Sequence, residues 1–223
     1  MSVGALFYHQ DTVWVQSSRG PTKDGRIKPD IVATGFGFGS QDKNNKYIGG
    51  GGTSFSGPQV AGGAALISEH YQDLFNEDKP TGALVKSFLC NGATDKGNPG
   101  PDYKYGFGKM NLINAKQILD NGQFLTATIT DQDLIVYDIT APSDLQEIKF
   151  MINWTDAPGS TTAAISLVND LNIIVVAPDG TQHYPMILDP SNPSLPAVQT
   201  TGVRDKLNNV EQVVIPTPQT GTY

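Results

Sequence analysis

Cysteine is almost missing from this chain: Cys90 is the single one in 223 residues, so no internal disulfide and no thiolate metal cluster can form. Its neighbours Phe88 and Leu89 are apolar, which marks Cys90 as a small buried hydrophobe. Long apolar runs are missing too, and nothing approaches the ~18 to 20 residues of a membrane-spanning helix. The first residues lack the basic stretch and apolar core of a secretory signal. Basic residues are few: 15 Lys and Arg stand against 22 Asp and Glu, a formal net charge of −7. They nowhere gather into a stripe, so the chain has no face for gripping phosphates. Neither nucleic acid nor a membrane is expected as a partner.

What is present is ordinary for a globular protein, with 38% hydrophobic and 17% charged residues. The length allows one good core or two modest ones. The character changes near residue 120, which suggests one domain over 1–120 and a second over 121–223. In the first part, residues 3–8 and 12–15 read as strands, and residues 30–33 as a short buried strand followed by a loop with Gly35, Gly37 and Gly39. After the glycine run 49–52, the pattern of Val60, Ala61, Ala64, Leu66 and Ile67 predicts a helix apolar all round, hence buried. Further helices are predicted over 83–90 and 111–119, the latter closed by Asn121-Gly122. In the second part, residues 147–154 alternate between apolar and polar, and so do 125–129. Residues 171–177, bounded by the turn Pro178-Asp179-Gly180, and 213–215 add two more strands. Short strands with no helix between them predict an all-β sandwich of jelly-roll type, and its missing closing strand suggests truncation.

The most informative segment is Gly51-Gly52-Thr53-Ser54-Phe55-Ser56-Gly57-Pro58-Gln59-Val60-Ala61-Gly62-Gly63. Glycines permit a tight backbone approach. They lead into a serine that opens a helix, with Pro58 expected in the first turn, where a missing amide costs little. A hydroxyl there lies beside free N–H groups and the positive end of the helix dipole, an arrangement that favours an oxyanion. A Ser or Thr that merely caps a helix gives a similar short pattern.

The full segment resembles the subtilisin-like serine protease signature G-T-S-x-x-x-P-x-V-A-G. Ser17-Ser18-Arg19-Gly20-Pro21 and Lys28-Pro29-Asp30-Ile31-Val32-Ala33 resemble the stretch ahead of that signature, and Tyr105-Gly106-Phe107-Gly108 its last turn. The chain departs from the family at Phe55-Ser56-Gly57 and at Gln59. The resemblance implies that Ser54 is the nucleophile, with its backbone N–H as an oxyanion donor and with Gly52, Thr53 and Pro58 supporting it. It implies an α/β fold that is part of a parallel-sheet peptidase domain, a protein or peptide substrate, a secreted or extracellular place of work, and no cofactor for the chemistry.

The family's acid and base segments, Asp-Ser/Thr-Gly and His-Gly-Thr, do not occur. Asp24-Gly25 belongs to a polar loop. His9 sits in a turn, His70 is ~20 Å along the helix from Ser54, and His183 follows a turn in the second part. The start at Val3-Gly4-Ala5 is therefore expected to be a cut inside the peptidase domain, leaving the chain inactive by itself and prone to self-association through the truncated sheet. Asn153-Trp154-Thr155-Asp156 and Val168-Asn169-Asp170-Leu171-Asn172 resemble the β-sandwich that follows the catalytic domain in some secreted relatives. That resemblance implies a structural calcium, with Asp170 as a ligand. Two other readings stay open: a non-catalytic accessory or binding module, and a pseudoprotease.

Overall fold

The computed structural model describes residues 1–76 and 79–223, with all side chains among them but those of Phe38 and Ser40. Its first part is built on β1 (Val3–Phe7), β2 (Ile31–Gln41) and β3 (Tyr47–Gly51), in the order β1-β2-β3. β1 runs parallel to β2, with Val3 opposite Ile31 and Ala5 opposite Ala33. β3 returns antiparallel beside the far half of β2. Beside the near half, Val32 donates to the Gly108 carbonyl and accepts from the Met110 amide, so the turn around Gly108 extends the same hydrogen-bonded layer. The predicted loop at Gly35, Gly37 and Gly39 is thus strand. Glycine weakens a strand without forbidding it, and the β3 ladder fixes it. Residues 12–15 make only one bridge, Leu6 with Val13.

Three helices pack on this layer: α1 (Thr53–Phe75), α2 (Gly82–Asn91) and α3 (Leu112–Asp120). Their apolar sides meet Ile31 and Ala33 in a core of Val60, Ile67, Tyr71, Leu84, Phe88, Leu89, Ala115 and Leu119. α1 is not buried all round, as its composition suggests. Val60, Gly63, Ile67 and Tyr71 face the core, while Ala61, Gly62 and Ala65 are exposed and Leu66 is 60% exposed. Small apolar residues on every side record what a helix can bury; here the sheet and two helices cover only one side.

Asp30 stands where β2 begins, and only 2% of it is exposed. Its carboxylate meets Lys28 Nζ at 2.8 Å and Lys86 Nζ at 3.0 Å, and accepts from Ser2 N–H at 2.5 Å. Burial alone would raise its pKa, but the two ammonium groups outweigh that and hold it well below the usual carboxylate range. Asp30 therefore has a structural role: it ties the start of the sheet to α2.

The second part contains β4 (Thr140–Ala141), β5 (Glu147–Asn153), β6 (Val175–Val176), β7 (Gln182–His183), β8 (Val210–Pro216) and β9 (Gly221–Thr222). Among the described residues they form three two-stranded antiparallel ladders, β4-β9, β5-β8 and β6-β7. The expected sandwich of two facing sheets is not assembled from them. β5 and β8 pair over their full length, Phe150 opposite Val213, and Val213, Ile215, Ala141, Val175, Ala177 and Tyr223 share a small core. Residues 125–129 form no strand, and Leu125 and Ile129 are exposed. Alternation predicts a strand only where a partner covers its apolar side, and among the described residues none covers this one. Ile27, Tyr103 and Phe107 pack with Leu188, Ala197 and Val210 in a core shared by the two parts.

Candidate functional site

The site grows from the junction of β3 and α1. Gly52 precedes the helix at φ 147°, ψ 163°, a backbone state that side chains with a Cβ rarely adopt. Its N–H donates to the Gly35 carbonyl at 2.7 Å, and its carbonyl accepts from Phe55 N–H at 3.0 Å. The glycine thereby locks the end of β3 to β2 and turns the chain into α1. Thr53 and Ser54 follow as the first two helical residues, where amides have no intrahelical acceptor.

α1 starts without any side-chain capping bond. α2 and α3 do not: Thr81 accepts from Leu84 N–H, and Asn111 from Ile113 and Asn114 N–H. The capping explanation for Thr53 and Ser54 therefore fails. Ser54 is exposed and its hydroxyl takes part in no hydrogen bond among the described residues. Ser56 is fully buried and its hydroxyl donates to the Thr53 carbonyl at 3.2 Å. Pro58 stands at the sixth helical position, not in the first turn as expected. There its missing N–H deprives the Ser54 carbonyl of its i+4 donor. The opening turn is thus polar and open along its main chain as well as at the serine.

Two features escaped the sequence reading. Gln59 holds the turn in place: its amide donates to the Thr34 carbonyl at 2.6 Å and to the Phe55 carbonyl at 2.9 Å, joining helix to sheet. Its departure from the family pattern was the signal. Aromatic rings also lie against the β3 glycines that lead to the serine. A methyl placed on Gly51 would stand 2.0 Å from the Phe36 ring, and one on Gly50 would stand 2.7 Å from the Phe55 ring. Phe36 stacks on Trp14 at 5.3 Å and meets Phe7 edge-on at 5.0 Å. The glycine run 49–52, expected only to lead into the helix, lies largely in β3 (Tyr47–Gly51), the strand against which these rings lie.

The histidines stand elsewhere. His9 occupies the turn after β1 at φ 63° with its ring 3.7 Å from that of Tyr8. His70 lies one turn before the end of α1, Nε2 2.5 Å from Asp120 Oδ1, so it fastens α1 to α3. His183 is in β7. Among the described residues no imidazole is hydrogen-bonded to Ser54. Asp24 is held in its own loop by Thr22 and Arg26 and by the Ser166 amide. Asp170 is exposed, and its carbonyl accepts from the Asn172 side chain. Among the described residues, no three His, Cys, Asp or Glu side chains are grouped around a metal position, and no helix is long and apolar enough to cross a membrane.

Residues 1–108 match the model of the subtilase family, Peptidase_S8. The "Serine protease/ABC transporter B family protein tagA" of Dictyostelium discoideum is 26% identical over 247 residues, which covers 93% of this chain and 14% of that protein. The C5a peptidase of Streptococcus pyogenes is 42% identical over 80 residues, covering 35% of this chain and 7% of that protein. Among solved structures, the CspB protease of Clostridium perfringens is 30% identical with a TM-score of 0.50, covering 54% of this chain and 26% of that one. This chain therefore spans about 14% of the length of a relative that it matches almost end to end. Its first half is similar to subtilisin-like serine proteases in both sequence and fold.

Proposed function

We propose that this chain supplies the nucleophile segment of a subtilisin-like serine endopeptidase, with Ser54 as the attacking residue. The observation that carries the reading is the unspent Ser54 hydroxyl, held at an uncapped helix start by Gly52 and Gln59. In this reading Ser54 Oγ adds to the carbonyl carbon of a peptide bond while a base takes the hydroxyl proton. The oxyanion that forms accepts from Ser54 N–H at the positive end of α1. Collapse of the adduct expels the amine, which receives the proton, and water then releases the acyl group from Ser54.

His9, His70 and His183 are each committed elsewhere or distant, so the base and the acid that orients it come from outside residues 1–223. The chain alone then has a poorly activated serine. Loss of triad members costs about a million-fold in turnover, a figure measured on subtilisin itself and not on this protein. Substrates are proteins or peptides, the place of work is extracellular, and residues 121–223 act as an accessory β-rich part packed on the peptidase portion. The open face of α1 around Leu66 belongs to the same reading. It is a surface that the rest of a parallel-sheet domain, or a second copy, covers.

Fluorophosphonate labelling tests this, read by peptide mass spectrometry with Ser54→Ala as control. No label is expected on the 223-residue chain, and a label on Ser54 is expected once the upstream sequence of the parent protein is included. Labelling of the chain alone would show that a base lies within it. Absence of label in the extended protein would favour the pseudoprotease reading.

A further inference from the structure

An asparagine followed by glycine is open to attack on its side-chain amide by the next peptide nitrogen, because glycine puts no Cβ in the way. The chain holds two such pairs, Asn91-Gly92 and Asn121-Gly122. The fold shields the first and leaves the second open.

Asn91 ends α2 with its amide spent. Its Oδ1 accepts from Gln212 Nε2 at 3.0 Å, and its Nδ2 donates to the Lys149 carbonyl at 3.4 Å. Gly92 is buried, and its N–H donates to the Phe88 carbonyl at 3.0 Å. A methyl placed on Gly92 would stand 2.7 Å from the Ala115 nitrogen. Its peptide nitrogen cannot turn toward the Asn91 side chain unless α2 parts from α3 and from the β5-β8 ladder.

Asn121 follows α3 at φ −85°, ψ 1°. Asn121 and Gly122 are both exposed, and the Asn121 side chain takes part in no hydrogen bond among the described residues. Gly122 sits at φ 60°, with nothing within 4 Å of the place a Cβ would occupy. Its N–H donates to the Leu119 carbonyl at 3.1 Å, and Gln123 N–H donates to the Ile118 carbonyl at 2.9 Å. These bonds close an exposed helix end, the part of a fold that opens at least cost.

We propose that Asn121 is a site of spontaneous deamidation, a modification that loosens α1 from α3. With the helix end open, the Gly122 nitrogen adds to Cγ of Asn121. The N–Cγ bond forms, the Cγ–Nδ2 bond breaks, and the Gly122 proton leaves with Nδ2 as ammonia. Water then opens the succinimide at either of its carbonyl groups and leaves aspartate or isoaspartate at position 121. Nothing is oxidised or reduced, and water is the only co-reactant.

The new charge lands beside a clamp. Asp120 is paired with His70 of α1 and with Lys116 of α3, and Lys116 and His70 together hold its carboxyl below the usual carboxylate range. A second carboxylate next to it competes for the same cations and faces the negative end of the α3 dipole. α1 is also the helix that begins with Thr53 and Ser54, so the modification acts on the far end of the element that presents the candidate nucleophile. It holds whether or not Ser54 attacks a substrate.

The test is incubation of the 223-residue chain in mildly alkaline buffer, followed by peptide mass spectrometry that separates the asparagine, aspartate and isoaspartate forms. Conversion should run about tenfold or more faster at Asn121 than at Asn91, because an exposed terminus opens far more often than a core. Asn121→Ser should abolish it. Asn121→Asp carries the product charge from the start, and its melting temperature should lie about 1–3 °C below that of Asn121→Ser. That gap should shrink in high salt, as an electrostatic effect does. The serine variant separates the effect of the charge from simple loss of the Asn121 side chain. Equal conversion at the two asparagines, no conversion at Asn121, or aspartate and serine variants of equal stability would overturn the proposal.

Discussion

Two acids are buried to the same extent in the two parts of the chain, and the protein treats them in opposite ways. Asp30 and Glu211 are each 2% exposed. Asp30 spends both oxygens on two lysines and the Ser2 amide, and its carboxyl is held as an anion. Glu211 receives one amide bond and no cation. Burial pushes its carboxyl up to about 8 against the pull of the Ile173 amide, and the negative Asp205 and Asp170 add to that rise. The difference separates a group the fold has finished using from one it leaves incomplete. Spent polar atoms read as architecture; a spare one, desolvated, is the exception that buried polar groups seldom show.

The largest way to break the comparison is Asp30→Asn. It leaves Lys28 and Lys86 facing each other without their counter-ion, and removal of one partner from a buried pair costs on the order of 3–5 kcal/mol. Urea denaturation should show a loss of that size; a loss below ~1 kcal/mol would mean that Asp30 is not holding the sheet. The same carboxylate sets an acid limb. Its folded-state pKa lies below the ordinary 3.8, so the unfolded chain takes up the proton first. Its contribution is complete above about pH 5 and drains away as pH falls further. The parent should destabilise over that range, and Asp30→Asn should show a shallower slope there.

How much of this could be seen in the sequence differs between the two parts. α2, α3, β1, β5 and β8 follow from periodicity, since each has one side to bury and a neighbour that covers it. Residues 125–129 carry the same alternation and form no strand, because no partner lies beside them. β2 was cut short at its glycines, since a propensity argument cannot register that β3 would return alongside. At the site, Ser54 was visible from the run of residues around it. The ring contacts were not, because Trp14 and Phe36 lie far apart in sequence and stack only once the chain has folded. Gln59 announced itself only as a departure from pattern. Glu211 gave no signal at all: one acid in the run Val-Glu-Gln-Val reads as an outward strand position, and only burial shows otherwise.

A smaller effect is expected at the start of α2. Thr81 Oγ1 accepts from Leu84 N–H at 3.2 Å, so Thr81→Ala removes a working cap and should cost about 1 kcal/mol. Glu211→Gln should cost less than that, under ~1 kcal/mol near neutral pH, because the amide matches the shape and neutrality of the protonated carboxyl that burial favours. A loss as large as that of Asp30→Asn would show that Glu211 is an anion with partners, and the contrast between the two acids would collapse.

The smallest effect belongs to Ser54→Ala. Thr81 caps α2 from the position before the helix, whereas Ser54 is the second residue of α1; its side chain caps nothing and stands exposed. Alanine is the better helix former, so stability should stay within ~0.5 kcal/mol of the parent, as for other surface changes without a lost contact. That result gives the fluorophosphonate control its meaning, since an absent label then reports a missing hydroxyl and not a missing fold. If Ser54→Ala costs as much as Thr81→Ala, the hydroxyl is holding the helix start, and it is not free to attack a peptide bond.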